Sequence, residues 1–220
     1  LLHGHSSARI RLRSEEPFFR FWDKTYTGEC TLEVFLSSTI IIAIAEIGDK
    51  SQLLSLFLAS RFNKPVPIIT GILAATLFNH TASALLGVWL LKLFPPHLAP
   101  WVVSGSFLLI ALWLLIPDRH DVSSGRFDKY GVFVAATMLF FLVEIGDKTQ
   151  IATVVLAAKY DDVLWVILGT TAGMLLANIP VVYSGSWIMD RIPLRYARWS
   201  AFVLFLTIAV ITVLQTFTNR

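Results

Sequence analysis

The side chains able to do chemistry in this chain sit in two short stretches. Glu46-Ile-Gly-Asp-Lys-Ser-Gln52 returns almost unchanged as Glu144-Ile-Gly-Asp-Lys-Thr-Gln150, each inside a long apolar run. Read as helix, Glu46 and Asp49 lie three apart on neighbouring parts of one face, and Lys50 lies four from Glu46. Gln52 falls about 60° beyond Asp49 and adds an amide oxygen. Gly48 between the acids allows the backbone to bend or open, which frees carbonyl oxygens for a cation. Glu144, Asp147, Lys148, Gln150 and Gly146 repeat these relations. If the two copies meet, the carboxylates of Glu46, Asp49, Glu144 and Asp147 and two amides form an all-oxygen set. Such a set suits hard divalent ions such as Ca²⁺, Mn²⁺ or Mg²⁺. Crowded acids withdrawn from water also favour holding protons while the site is empty. A divalent cation would displace those protons, and protons from the other side would displace the cation. That is the logic of an antiporter.

The placement of these charges is expensive. A charged side chain at mid-bilayer costs roughly 2.5–3.5 kcal/mol, so three in each of two copies come to about 15–20 kcal/mol before pairing. The bland reading has Glu46–Lys50 and Glu144–Lys148 neutralise each other as (i, i+4) pairs, or the lysines snorkel to an interface. It gives no account of Asp49 and Asp147. Ser51, Thr149, Thr39 and Thr137 are weaker candidates, because hydroxyls in membrane helices commonly bond their own backbone. Asn79 reads as interhelical glue, with cation ligation as the functional alternative. His80 reads as a hydrogen-bonded interior histidine, with proton relay or Mn²⁺ ligation as the alternative. Gly71, Gly87, Gly169, Gly173 and Gly185 fit close helix packing.

The elements that must position these residues follow from composition. Of 220 residues, 55% are hydrophobic and 15% charged, where a soluble domain carries about 25% charged; the chain reads as an all-α integral membrane protein. The net charge of +3 is spread over loops and the N-terminal segment, so it reads as a topology signal and not as a nucleic-acid patch. A single cysteine, Cys30, excludes an intrachain disulfide framework and a cysteine metal cluster, and few histidines leave little to select Zn²⁺ or Cu⁺. Residues 1–30, polar and Arg-rich, read as a disordered or non-native tail without a signal-peptide h-region. Six transmembrane helices are expected, over about 32–60, 67–92, 98–116, 130–158, 163–189 and 196–217. Pro65 and Pro67 break the chain before the second, and Trp89, Trp101, Trp187 and Trp199 mark span ends.

The motifs start 98 residues apart, and an ungapped shift of 98 aligns far more than the motifs. Val34-Phe35 meets Val132-Phe133, Gly71 meets Gly169, Gly87 meets Gly185, and Phe107 meets Phe205. This is an internal duplication, with a first three-helix repeat over 31–117, a connecting loop over 118–129 and a second repeat over 130–220. Three spans per repeat imply that the second enters the bilayer inverted. With both termini on the non-cytoplasmic side, the inner loops hold Arg61, Lys64, Arg119, Arg126, Lys129, Arg191, Arg195 and Arg198, and the outer ones only Lys92, Lys159 and Arg220. Inverted repeats of this kind build transporters with a midplane site between the halves.

The doubled Glu-x-Gly-Asp-(Lys/Arg)-(Ser/Thr) signature, one copy per half, resembles the Gdt family of Ca²⁺/Mn²⁺:H⁺ antiporters, which comprises Golgi cation exchangers and bacterial manganese exporters. The resemblance covers about 31–217. It implies that Glu46, Asp49, Glu144 and Asp147 bind the cation, with Lys50, Ser51, Lys148 and Thr149 at the remaining motif positions. Gln52 and Gln150 are additional candidates for the cation site. The compact form implies a bacterial plasma membrane protein exporting Mn²⁺ from the cytoplasm against protons, with no catalytic residues and no cofactor. The N-terminal segment and Asn79-His80 depart from the family pattern. Ca²⁺/H⁺ exchange is the alternative within this class. From other classes, an intramembrane hydrolase would need a nucleophile or metal triad that the sequence does not offer, and a membrane scaffold would not need the acids.

Overall fold

The computed structural model describes residues 31–95, 97–116, 130–160, 162–185 and 194–218, and all regular structure in them is helical. The expectations for the segment 1–30, the loop 118–129 and Trp187 fall outside these residues. Eight helices follow in order: α1 (Thr31–Glu46), α2 (Lys50–Phe62), α3 (Pro65–Leu91), α4 (Ala99–Leu114), α5 (Val132–Glu144), α6 (Lys148–Tyr160), α7 (Val163–Ser184) and α8 (Leu194–Thr218). Three stretches are each long and apolar enough to cross a bilayer: Pro65–Leu91, Val163–Ser184 and Trp199–Phe217. Ala99–Leu114 and Val132–Glu144 are shorter apolar helices.

Two of the expected continuous spans are not continuous. The run over 32–60 is α1 and α2, bent by 73° between Glu46 and Lys50. The run over 130–158 is likewise α5 and α6, interrupted between Glu144 and Lys148. Both interruptions fall on the motif. Pro65, expected to break the chain ahead of a helix, instead opens α3, where its missing N–H would have had no intrahelical partner.

The halves interlock instead of standing side by side. α1 packs most extensively against α7, α5 against α3, and α4 against α8, while α3 also lies on α6 and α7. Under the shift of 98, α1 corresponds to α5 and α3 to α7, so the first helix of each half is clasped by the third-numbered helix of the other. The contacts themselves are exchanged. A Cβ on Gly71 would sit 2.9 Å from the carbonyl oxygen of Phe133, and one on Gly169 would sit 2.6 Å from that of Phe35. Residue i of one half meeting j of the other, and j meeting i, is the mark of two-fold pairing. Gly173 against Thr39 and Gly87 against Val154 are equally close, so these four glycines serve backbone approach. Gly185 does not: nothing lies within 4 Å of its would-be Cβ, and with φ +58 it ends α7.

The distribution of polarity runs opposite to that of a soluble protein. Leu109, Phe78, Val66, Leu176 and Leu214 are all more than half exposed, whereas Glu46, Glu144, Asp147, Lys148, His80 and Asn178 are buried. An apolar exterior around a polar interior is stable only where lipid replaces water outside. The chain is membrane-embedded.

Candidate cation site

Both motifs adopt the same local structure. α1 ends on Glu46 and α5 on Glu144; the chain then turns through Gly48 (φ +80) or Gly146 (φ +72). A residue with a Cβ is disfavoured in that left-handed region by roughly 1–2 kcal/mol, which is why glycine stands there in both copies. The glutamines brace the turn. The Gly48 N–H donates to Gln52 Oε1 at 2.7 Å, and the Gly146 N–H to Gln150 Oε1 at 2.6 Å. The amide oxygens expected to face a cation are thus engaged with the glycine backbone, and Gln52 Nε2 donates onward to Ala177 O at 2.9 Å. Each break leaves the carbonyl end of one half-helix next to the acids, the end of a helix that attracts cations.

The interruption also replaces the helical spacing assumed for the acids. One ligand oxygen from each of Glu46, Glu144 and Asp147 lies within 4.8 Å of the others, and all three residues are buried. That separation suits one ion, since two oxygens on opposite sides of a Ca²⁺-sized cation are about 4.6–5.2 Å apart. The structure therefore joins three of the four expected carboxylates. Asp49, also buried, stands at the N-cap position of α2 without a side-chain capping bond and is not in the group. The halves also pack unequally: α6 is held against α3 and α4, whereas among the described residues α2 packs on α7 without a comparable contact with α8.

The hydroxyls of the motif point at the acids and not at their own backbone. Ser51 Oγ donates to Glu46 Oε2. Thr149 Oγ1 lies 3.3 Å from Glu144 Oε2 and 3.2 Å from Asp147 Oδ2, and its single hydrogen serves one or the other. Glu46 Oε1 and Glu144 Oε1 are buried without a hydrogen-bond partner. An orphaned carboxylate oxygen is costly in a dry interior, and two within one cluster point to a ligand that occupies the gap. Thr39 and Thr137, by contrast, bond the carbonyls of Phe35 and Phe133 one turn back, as expected of membrane-helix hydroxyls.

The lysines do not pair with the glutamates of their own motifs. Lys50 Nζ lies 2.7 Å from Asp147 Oδ1 in the other half, and Lys148 Nζ donates to Ile116 O at 3.2 Å, beyond the end of α4. The helix break is the cause, because an (i, i+4) pair needs the turn of helix that Gly48 and Gly146 remove. Asn79 Nδ2 donates to Phe141 O at 3.3 Å, tying α3 to α5 as glue. Asn178, its neighbour-equivalent, accepts from Ser55 at 2.7 Å. Sequence reasoning passed over Ser55; its position one turn after Ser51 was the available signal. His80 departs from the expectation of a hydrogen-bonded interior histidine: it is 1% exposed, and neither ring nitrogen has a partner.

A membrane-embedded helical bundle whose crossed halves bring three buried acids together has the architecture of an ion transporter. Comparison with known proteins makes the assignment specific. The family described as divalent cation/proton antiporter GDT1 matches twice, over residues 34–122 and 132–220, one match per half and again 98 apart. The chain is 50% identical over 185 residues to a Vibrio cholerae protein named "Putative manganese exporter", covering 84% of this chain and 92% of that one. A GDT1-like protein of Synechocystis is 24% identical over 205 residues, 82% of this chain and 97% of its own. A GDT1-like protein of Arabidopsis thaliana is 24% identical over 215 residues, 86% and 73% of the two chains. No solved structure matches. The chain belongs to the GDT1 family of divalent cation/proton antiporters.

Proposed function

We propose that this antiporter exports Mn²⁺ from the bacterial cytoplasm in exchange for protons, with Glu46, Glu144 and Asp147 as ligands and Asp49 entering the site during the cycle. The observation that carries this reading is the convergence of one acid from the first motif and two from the second, with one oxygen of each glutamate buried and without a hydrogen-bond partner. The name of the Vibrio cholerae relative supports manganese as the cargo. Oxygen ligands alone separate Mn²⁺ from Ca²⁺ poorly, so Ca²⁺ is the competitor to test.

The exchanged glycine contacts, the reciprocal packing of α1 on α7 and α5 on α3, and the positive charge of the inner loops support two inverted three-helix repeats. On this reading α1–α2 and α5–α6 each make one broken span of six. Residues 31–117 and 130–220 form the repeats, 118–129 connects them on the cytoplasmic side of the plasma membrane, and both termini lie outside. Ser51 and Thr149 orient the glutamates, Gln52 and Gln150 hold the breaks open, and no catalytic group or resident cofactor takes part.

The test is uptake into inverted vesicles under an imposed pH gradient, with Mn²⁺ and Ca²⁺ in competition. Wild-type protein should take up Mn²⁺ in preference. Glu46→Gln and Glu144→Gln should each lose at least tenfold in uptake while remaining monodisperse in detergent. Undiminished uptake by either variant would remove the site.

A further inference from the structure

Both halves carry the residues for the same interhelical clasp, and only one half makes it. In the first, α2 is held to α7 by two bonds. Gln52 Nε2 donates to Ala177 O at 2.9 Å, and Ser55 Oγ donates to Asn178 Oδ1 at 2.7 Å. Their counterparts 98 residues away are Gln150, Asn79, Thr153 and His80, on α6 and α3. An amide donor, a backbone acceptor, a hydroxyl donor and a side-chain acceptor are all retained, but they are not joined to one another. Thr153 Oγ1 donates to Thr149 O of its own helix at 2.9 Å, and Asn79 O accepts from Ser83 Oγ at 2.8 Å. Gln150 braces its own turn and donates to no other helix among the described residues. Both ring nitrogens of the buried His80 lack a partner there. His80 lies on the face of α3 that meets α6, two turns before Gly87. A Cβ on Gly87 would run into the carbonyl of Val154, the residue after Thr153. A buried imidazole with neither nitrogen bonded is costly, and leucine would fill the same space with no polar atom to satisfy. A partner that arrives in another arrangement of the same helices accounts for the histidine.

We propose that Thr153 and His80 form the second of two alternating clasps. In the opposite access state Thr153 Oγ1 donates to His80 and Gln150 Nε2 to Asn79 O, tying α6 to α3, while α2 lets go of Asn178 and Ala177. The proposal rests on the reading of the halves as inverted repeats of an antiporter. Such carriers alternate by rocking one repeat against the other around the site between them, and equivalent elements of the two repeats can trade roles. Two interhelical bonds form as two break, so the exchange carries little net cost in hydrogen bonds. Thr153 has a single hydrogen, so it leaves Thr149 O when it takes His80, where a neutral imidazole offers one accepting nitrogen. Asp49 stands at the head of α2. The first clasp therefore holds it apart from the three converging acids, and release of that clasp lets it join them. His80 and Thr153 act through the helices they join; they are positioning residues.

The experiment uses the full-length protein in sealed liposomes, with Mn²⁺ uptake driven by a pH gradient. His80→Leu should raise the unfolding temperature, because it removes the orphaned nitrogens. It should also trap the carrier on the first clasp and lower uptake about tenfold or more. His80→Asn, which places at 80 the residue that stands at 178, should restore uptake. Ser55→Ala weakens the clasp already made and so does not trap the carrier in it. A His80→Leu protein that takes up Mn²⁺ at the wild-type rate overturns the proposal, since the histidine then only fills the core. Cross-linking provides a second measurement, in a Cys30→Ser background that removes the one native cysteine. Ser55→Cys with Asn178→Cys, and His80→Cys with Thr153→Cys, are treated with a short bifunctional thiol reagent. Each pair should link, and a protein carrying both pairs should show one link or the other in each molecule. Failure of the 80–153 pair to link where 55–178 does, or molecules linked at both, also overturns the proposal. Absence of any Mn²⁺/proton exchange by the wild type would instead overturn the antiporter reading itself, whatever the links show.

Discussion

Replacing Gly146 by alanine isolates the contribution of the helix break to the site. Nothing lies within 4 Å of the Cβ that would be added, so the substitution brings no clash; its effect comes only from φ +72. Holding an alanine there costs roughly 1–2 kcal/mol, and continuation of α5 into α6 as one helix is the competing conformation. A continuous helix would also lose the Gly146–Gln150 bond and swing Asp147 and Thr149 away from Glu144. If the broken form must be regained to bind metal, apparent affinity falls by the fraction of protein still competent, a loss of about 5- to 30-fold for that penalty. The assay is the rise in unfolding temperature with Mn²⁺ concentration in detergent, since a ligand stabilises by RT ln(1 + [L]/Kd). Gly146→Asn should lie between glycine and alanine, because asparagine tolerates the left-handed region better. Gly105→Ala, in α4 with open space around it and no positive φ, is the control. If Gly146→Ala and Gly105→Ala respond to Mn²⁺ identically, the reasoning from the break to the site is wrong.

Gly87→Ala should be among the most damaging glycine substitutions, because its Cβ would lie 2.1 Å from Val154 O and force α3 and α6 apart. A loss of about 1–3 kcal/mol of stability is expected, measured as a lowered unfolding temperature that Mn²⁺ does not restore. Ser55→Ala removes an interhelical bond and leaves Asn178 Oδ1 without its donor. It should cost about 0.6–2 kcal/mol and spare uptake, which a flux assay on reconstituted protein would show. Metal and protons compete for the same carboxylates, and the ligands must be deprotonated to bind. Mn²⁺ affinity should therefore fall at least tenfold between pH 8 and pH 6, measured by titration in detergent.

Much of this was legible in the residue string because the forces involved are local or periodic. Unbroken apolar stretches of bilayer length specify membrane helices whatever surrounds them, and the shift of 98 exposes the duplication without any coordinates. The pairing of two acids with glycine in each copy pointed to a hard cation, and Gly48 and Gly146 announced a bend. What failed was spacing arithmetic carried through the bend. Glu46–Lys50 looks like an ion pair only while the helix continues; once Gly48 turns the chain, Lys50 is free to reach Asp147 instead. Gln52 and Gln150 looked like ligands for the same reason, and their oxygens are used in bracing the turns that displaced them.

The sequence by itself determined that this is a duplicated, membrane-embedded helical protein with its charges confined to two equivalent stretches. Burial cost and helix length are properties of a segment, and a segment carries them wherever it is placed. Tertiary structure alone decided that the first helix of each half docks on the other half, that three acids and not four share the gap, and that a lysine of one motif serves an aspartate of the other. Those outcomes depend on how two related halves pack unequally. Each half's own residues are the same in either arrangement, and only the distances between halves, set by glycine-against-carbonyl contacts, tell the arrangements apart.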